Sequence, residues 1–475
     1  MVVGFFLFTL RDGHGWGGDF AQYINHAKNI SMFRHYADTG YVYNTANPAL
    51  GPRAYPPIFP LSLSLTYKVF GLNLTAFKIQ LVFVFAVFLW VTARLFSSSL
   101  SESYILVYLI VMGFCPIFWA EKDTIASEHL FILLWYLTIL VADQWYRHGK
   151  VFHSEWVHAF GLGLLIYLTY GTRTVGIVLL PSVVLCEFFV SRRLTRFGVC
   201  AIGMASGLIL LEKIILPASG AGYLEQLSRL DCHRIAANIH ADVVSFSTIW
   251  ENGYSEGVRK TAGAILSLVG IIGFCRGNLP RPSFLGVSMV LYLGLVVLWP
   301  SAAWLRMVLP LLPAYLFYVL LGMDLPTIPA KVRRCVLACF CLFSIASYVG
   351  WYSQADYGAI DGVETRSAVE LFQFVRENTQ DDELCLFFKP RVLCLYTGRR
   401  ATVYPSNFNN RDTWEYAKST GVSVVIVRCN PETGGRWNSI YRGEVEMAGR
   451  TTELVEIWRN DDFRVFRGPC TFDTH

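Results

Sequence analysis

The sequence predicts an α-helical polytopic membrane protein of about eleven transmembrane helices, followed by a C-terminal extracytoplasmic α/β domain. Three observations predict it. Of the 475 residues, 54% are hydrophobic and 15% aromatic, with a mean hydropathy of +0.41. Only 16% are charged, against roughly 25% in ordinary globular chains. Apolar runs of span length recur along the chain until it turns polar near residue 355. A soluble protein with buried helices needs amphipathic stripes, whereas these runs are apolar on all sides. The net charge of +5 is small, and its basic residues sit in short clusters between the runs. That pattern suits membrane topology and argues against a nucleic-acid partner. Membrane lipids are the expected surroundings.

Val2 to Leu10 is apolar but shorter than the ~20 residues a span needs. It lacks the basic segment and small-residue cleavage site of a signal peptide, so it reads as the end of a first span whose beginning is missing or mis-assigned. Residues 11–56 form a polar first loop. The run 57–70 is short for a span and reads as an interfacial helix. Ten spans are expected at about 73–93, 103–119, 125–142, 157–171, 174–190, 197–217, 260–276, 283–300, 305–322 and 334–353. Alternate loops then carry Arg94; Arg147 and Lys150; Arg192, Arg193 and Arg196; Arg276 and Arg281; and Lys331, Arg333 and Arg334. This basic set should be cytoplasmic, which places the first loop, the loop 218–259 and everything after Trp351 on the opposite side.

The expected division is a membrane domain, 1–354, and a soluble domain, 355–475. In the second, Thr365 to Glu377 and Arg411 to Ser419 have helical periodicity, while Leu384 to Phe388 and Val422 to Val427 are apolar or β-branched runs of strand length. Leu454 to Trp458 and Phe463 to Phe466 form a candidate hairpin across Asn460-Asp461-Asp462. No glycine-rich phosphate fingerprint follows these strands, so no nucleotide site is assigned. The twelve cysteines show no metal-type spacing. Cys385, Cys394, Cys429 and Cys470 fall in the polar part, where one disulfide and free buried thiols are both open readings.

Candidate chemistry gathers on the outer side. Asp19 follows the glycine-rich stretch Gly13-His14-Gly15-Trp16-Gly17-Gly18 and starts a helix running to about His35. It either caps that helix or acts as a general base on an acceptor hydroxyl, with Asp12 as the competing carboxylate. The second acidic stretch is Glu121-Lys122-Asp123-Thr124-Ile125-Ala126-Ser127-Glu128-His129. Glu128 lies inside the next apolar run, where an ionisable group is costly and marks a functional candidate. Lys122, Arg173 and Arg306 are exceptions to the charge bias, each where a span meets the outer surface. Singly they read as snorkelling anchors; together they suggest an anion site for a phosphate leaving group. The prolines of Gly51-Pro52-Arg53-Ala54-Tyr55-Pro56-Pro57 stiffen the entry to the interfacial helix. Tyr23, Arg53, Tyr55 and His129 are therefore candidates to line a substrate cavity.

Several of these stretches resemble one family. Gly18-Asp19-Phe20-Ala21-Gln22-Tyr23-Ile24-Asn25-His26, Tyr55-Pro56-Pro57-Ile58-Phe59-Pro60 and Val69-Phe70-Gly71 are similar to the first loop of GT-C glycosyltransferases. The nearest in kind are the bacterial dolichyl-phosphate-mannose–protein mannosyltransferase-like and aminoarabinose-transferase-like enzymes. Ser127-Glu128, Leu168-Thr169-Tyr170-Gly171-Thr172-Arg173, Arg306-Met307-Val308-Leu309-Pro310 and Phe388-Lys389-Pro390-Arg391 fit the same pattern.

The resemblance implies inverting transfer of a sugar from a polyprenyl-phosphate donor to a lipid, glycan or protein hydroxyl. It also implies a multi-pass protein of a bacterial inner (plasma) membrane, with its active site and C-terminal domain extracytoplasmic. Asp19 takes the base role, and Glu128 stands where relatives often carry a second acid. Metal use varies in the class; no ligand cluster here demands one, and a divalent cation stays open. The competing class is a polytopic secondary transporter. That class usually shows paired repeats and broken helices at the bilayer midplane, and no second copy of any segment is visible here.

Overall fold

A computed structural model describes residues 1–47, 50–148, 154–216, 232–250, 253–279, 281–299, 305–405, 410–429 and 454–468. Lys150, Cys470 and residues 217–231 and 251–252 of the expected outer loop lie outside the described residues. The chain divides into two compact units. One comprises the described residues of Met1–Leu10, Phe77–Ile215 and Gly222–Tyr357, the other those of Arg11–Ala76, Leu216–Ala221 and Gly358–His475. The first loop, expected within the 1–354 domain, thus packs with the C-terminal segment.

The first unit is helical, and a helix occupies each of the ten expected runs. Among the described residues six helices are long and apolar enough to cross a membrane: Leu74–Phe96, Thr174–Ser191, Arg196–Ile215, Glu256–Asn278, Leu305–Met323 and Ala330–Tyr352. The protein is an integral, multi-pass membrane protein. Glu102–Gly113 and Phe284–Val297 are shorter apolar helices. The run 103–119 is broken rather than continuous: Glu102–Gly113 ends, Cys115 turns extended (φ −60°, ψ 123°), and Pro116–Glu121 begins anew. Proline explains it, because Pro116 cannot donate to a carbonyl one turn back and forces its predecessor out of the helical region. Glycine lets one helix pair approach closely. A side chain on Gly273 would strike the Tyr318 carbonyl, and one on Gly322 the Val269 carbonyl, so Glu256–Asn278 and Leu312–Met323 meet backbone to backbone. The expected outer loop contributes a helix of its own, Cys232–Ser247.

The second unit is a five-stranded sheet carrying the first loop. Its strands are β1 (Leu384–Leu386), β2 (Arg400–Thr402), β3 (Val422–Arg428), β4 (Val455–Arg459) and β5 (Phe463–Arg467), in the order β2-β1-β3-β5-β4. β1 pairs parallel with β2 and β3, whereas β3, β5 and β4 are antiparallel neighbours. Parallel neighbours need crossovers, and the helices Pro390–Thr397 and Asn410–Thr420 supply them. Four expectations for this segment hold closely: the helices Arg366–Asn378 and Asn410–Thr420, the strand β3, and the β4–β5 hairpin. The hairpin turn is fixed by Asn460, whose Oδ1 accepts from the amides of Asp462 (3.1 Å) and Phe463 (2.9 Å). Strand β2 and the helix Pro390–Thr397 were not foreseen; three residues leave too little periodicity to read. Cys385 and Cys394 are unbridged thiols.

The first loop docks on this sheet. Tyr41 bridges Ala401 in parallel at the β2 edge, with the Val42 amide donating to Ala401 O (2.9 Å) and the Ala401 amide to Gly40 O (3.1 Å). An otherwise open strand edge is thereby paired. Asn44 and Asn47 donate to the carbonyls of Val403 (2.7 Å) and Tyr404 (2.8 Å). Trp16 sits among the rings of Phe372, Phe387, Phe388 and Phe463 at 5.3–6.0 Å. The helix Ile58–Phe70 has thirteen residues, about 20 Å, against the ~30 Å of a hydrocarbon core. It buries Phe59, Pro60, Leu63 and Ser64 and leaves Leu61, Leu65, Val69 and Phe70 exposed.

Candidate functional site

Two clusters hold most of the candidate residues, one in each unit. In the second unit, the helix Gly18–Ser31 begins after Gly17, and Asp19 lies in its first turn. Asp19 is not the cap, although its charge there suits the positive end of the helix. Its Oδ1 instead accepts the Tyr55 hydroxyl at 2.7 Å, and Arg391 Nη1 lies 3.4 Å away. The Asp19 side chain keeps 46% of its surface exposed while Arg391 keeps 1%.

Arg391 Nη1 also donates to the Tyr55 oxygen, and Nη2 donates to Pro52 O at 3.1 Å. The guanidinium packs over the Tyr41 and Tyr55 rings at 4.9 and 4.8 Å. Burial pushes the Tyr55 phenol well above its ordinary range, with the Arg391 charge opposing, so the phenol keeps the proton it donates to Asp19. Tyr23 stands against Tyr55 (5.0 Å) and Phe59 (4.8 Å). Arg53 is exposed and enters through its carbonyl, which accepts from Gln22.

A buried histidine holds this arrangement. His26 Nδ1 faces the Tyr36 carbonyl at 2.9 Å, which fixes the proton there. Nε2 then accepts from the Tyr55 amide (3.3 Å) and from Gln22 (3.2 Å). Burial drives the His26 pKa down to about 3, so the ring is neutral at physiological pH. Asn29 closes the chain after the helix by donating to the carbonyls of His35, Tyr36 and Asp38.

The first unit carries the other cluster. Arg173 ends the helix Glu155–Thr172 in extended conformation (φ −146°, ψ 129°), at the break between two expected spans. Glu128 opens the helix Glu128–His148. Its Oε1 accepts from Arg173 Nη1 and from Arg306 Nε (2.7 Å). Glu128 is 2% exposed, Arg173 22% and Arg306 37%. Oε2 of Glu128 is buried without a partner among the described residues. Glu121 belongs to the same field: burial, and next the Glu128 charge, push its carboxyl up to about 7 against the pull of Arg306 and Arg173.

Lys122 is placed differently. It is fully buried, paired with Asp123 at 2.6 Å and set over the Trp119 ring at 3.8 Å. His129 is buried beside Phe85 and Phe118. The structure thus brings Asp19, Tyr23 and Tyr55 together, and separately Glu128, Arg173 and Arg306. Arg391 and His26 lie in stretches that carry the resemblance and Glu121 heads the second acidic stretch, but sequence reasoning gave none of the three a role of its own. Among the described residues no three His, Cys, Asp or Glu side chains group to hold a metal.

No family model matches the sequence, and no curated protein matches it. Solved structures do resemble it. ArnT from Cupriavidus metallidurans bound to undecaprenyl phosphate aligns with a TM-score of 0.56 and 12% identity, over 98% of this chain and 96% of that one. The Archaeoglobus fulgidus oligosaccharyltransferase in complex with Zn and sulfate aligns at 0.62 and 13%, over 93% and 69%. The mycobacterial arabinofuranosyltransferase AftD aligns at 0.56 and 11%, over 98% and 41%. At such identities the likeness concerns the fold. The fold that these three share extends along nearly the whole of this chain.

Proposed function

We propose that the protein transfers a sugar from a polyprenyl-phosphate donor to an acceptor hydroxyl of a lipid, glycan or protein on the extracytoplasmic side, with inversion at the anomeric carbon. Asp19 takes the acceptor proton, the acceptor oxygen bonds to the anomeric carbon, and the sugar–phosphate bond breaks with its electron pair leaving on the polyprenyl phosphate. The observation that carries the reading is the near end-to-end fold likeness to a transferase whose structure holds undecaprenyl phosphate.

The two clusters suit the roles. Asp19 combines accessible surface with a fixed orientation. Arg173 and Arg306 offer exposed guanidinium surface to phosphate oxygens, while buried Glu128 holds both from behind. Lys122, buried and paired with Asp123, offers no exposed ammonium to a phosphate. Tyr23, Arg53, Tyr55 and His129 shape the surroundings of these groups. A divalent cation stays open, and no step is routed through one.

The test is purified protein in proteoliposomes, given a panel of labelled polyprenyl-phosphate sugars and an envelope-lipid acceptor extract. The expected result is label transfer from one donor, lost in Asp19→Asn with membrane insertion unchanged. Transfer undiminished in Asp19→Asn would remove the base assignment, and substrate uptake without transfer would favour a transporter.

A further inference from the structure

We propose that Arg391 is a positioning residue for Asp19, acting through Tyr55, so that the C-terminal segment completes the first loop's carboxylate. The inference rests on the reading of Asp19 as base. Its ground is geometric. Arg391 stands at the start of the helix Pro390–Thr397, 372 residues from Asp19 in sequence. A guanidinium buried to 1% exposure is expensive unless its donors are used. Here Nη1 reaches the Tyr55 oxygen and Nη2 the Pro52 carbonyl, the Tyr41 and Tyr55 rings lie 4.9 and 4.8 Å away, and only Nε is buried without a partner among the described residues.

The proton count then fixes direction. Arginine only donates, so the Tyr55 oxygen accepts from it, and the single phenol proton is left to point at Asp19 Oδ1. Tyr55 is thus held at both ends. Its backbone is held as well, through the amide bond to His26 and the Tyr36 hydroxyl bond to its carbonyl (2.8 Å). Backbone conformation and tight packing disfavour a side chain at Gly51. Gly51 has φ +87°, and a Cβ there would lie 3.3 Å from Arg391 Nη2 and 3.4 Å from the Tyr55 oxygen. Arg391 itself is covered and does not offer a surface to substrate. It orients the carboxylate that does.

The experiment compares Arg391→Met, Arg391→Lys, Tyr55→Phe and Asp19→Asn in the full-length protein, using undecaprenyl-phosphate sugars as donor probes. Positioning predicts that Arg391→Met and Tyr55→Phe each lower kcat about 10- to 100-fold with donor KM nearly unchanged. It predicts that the double variant is no worse than either single, and that Arg391→Lys recovers part of the rate. Hydrogen exchange gives a readout that needs no activity: amides of 51–55 exchange about tenfold faster in Arg391→Met and near the wild-type rate in Arg391→Lys. Wild-type kcat in Arg391→Met beside an inactive Asp19→Asn overturns the proposal, as does unchanged exchange in 51–55. Full activity in Asp19→Asn with accelerated exchange in Arg391→Met overturns the base assignment instead and leaves the tether standing.

Discussion

Asp19 and Glu128 are both carboxylates at helix starts, yet their surroundings are opposite. Asp19 is nearly half exposed and touches one phenol and the edge of one guanidinium. Glu128 is almost wholly buried, with one oxygen shared by two arginines that are themselves more exposed. The first arrangement leaves a carboxylate reachable and oriented; the second makes it a counter-ion that holds two cations forward. Residue type does not separate these two carboxylates, but exposure and partner charge do.

The contrast breaks first at Asp19. Asp19→Asn should cost about 10²–10⁴-fold in transfer with unchanged thermal unfolding, and a variant that loses stability instead would make Asp19 structural. Glu128→Gln should behave the other way, lowering unfolding stability by about 2 kcal/mol in a thermal scan. That is less than a fully buried pair would lose, because water screens the exposed arginines.

The second unit should answer to acid through His26. Its folded pKa near 3 lies below the ordinary 6.5, so the unfolded chain takes up the proton first. The stabilisation is whole above about pH 6.5 and is lost as pH falls from there toward 3. At pH 5 the loss is about 2 kcal/mol, readable as faster amide exchange in the first loop and largely removed in His26→Gln. Arg306→Ala should raise donor KM about tenfold with kcat less affected, whereas a pure kcat defect would separate Arg306 from donor binding. Smallest is Asn44→Ala, about 1 kcal/mol from the lost bond to Val403, measured by unfolding. No effect there would mean that the loop's hold on the sheet edge lies elsewhere.

The helical runs were legible because a lipid-facing helix must be apolar on every side, a local property that survives without neighbours. The break at Pro116 and the turn at Arg173 blurred only boundaries. In the C-terminal segment the β4–β5 hairpin was legible from its Asn460 turn, whereas β2, three residues long, was not. The site was half legible. Asp19, Glu128, Arg173 and Arg306 stood out because charges beside apolar runs are conspicuous. Their partners did not: nothing local ties Arg391 to Tyr55, or distinguishes Lys122, locked to its neighbour Asp123, from two arginines that share a distant glutamate.

The sequence alone determined that this chain is a multi-pass membrane protein, where its helices run, and that a small α/β sheet follows them. Hydropathy and periodicity are set over a few turns of chain, so composition suffices. The tertiary structure decided which charges are paired and which stay exposed, and that the first loop completes the C-terminal sheet. Those outcomes depend on burial and on contacts between residues tens to hundreds of positions apart, and only the folded chain brings such groups within hydrogen-bond reach.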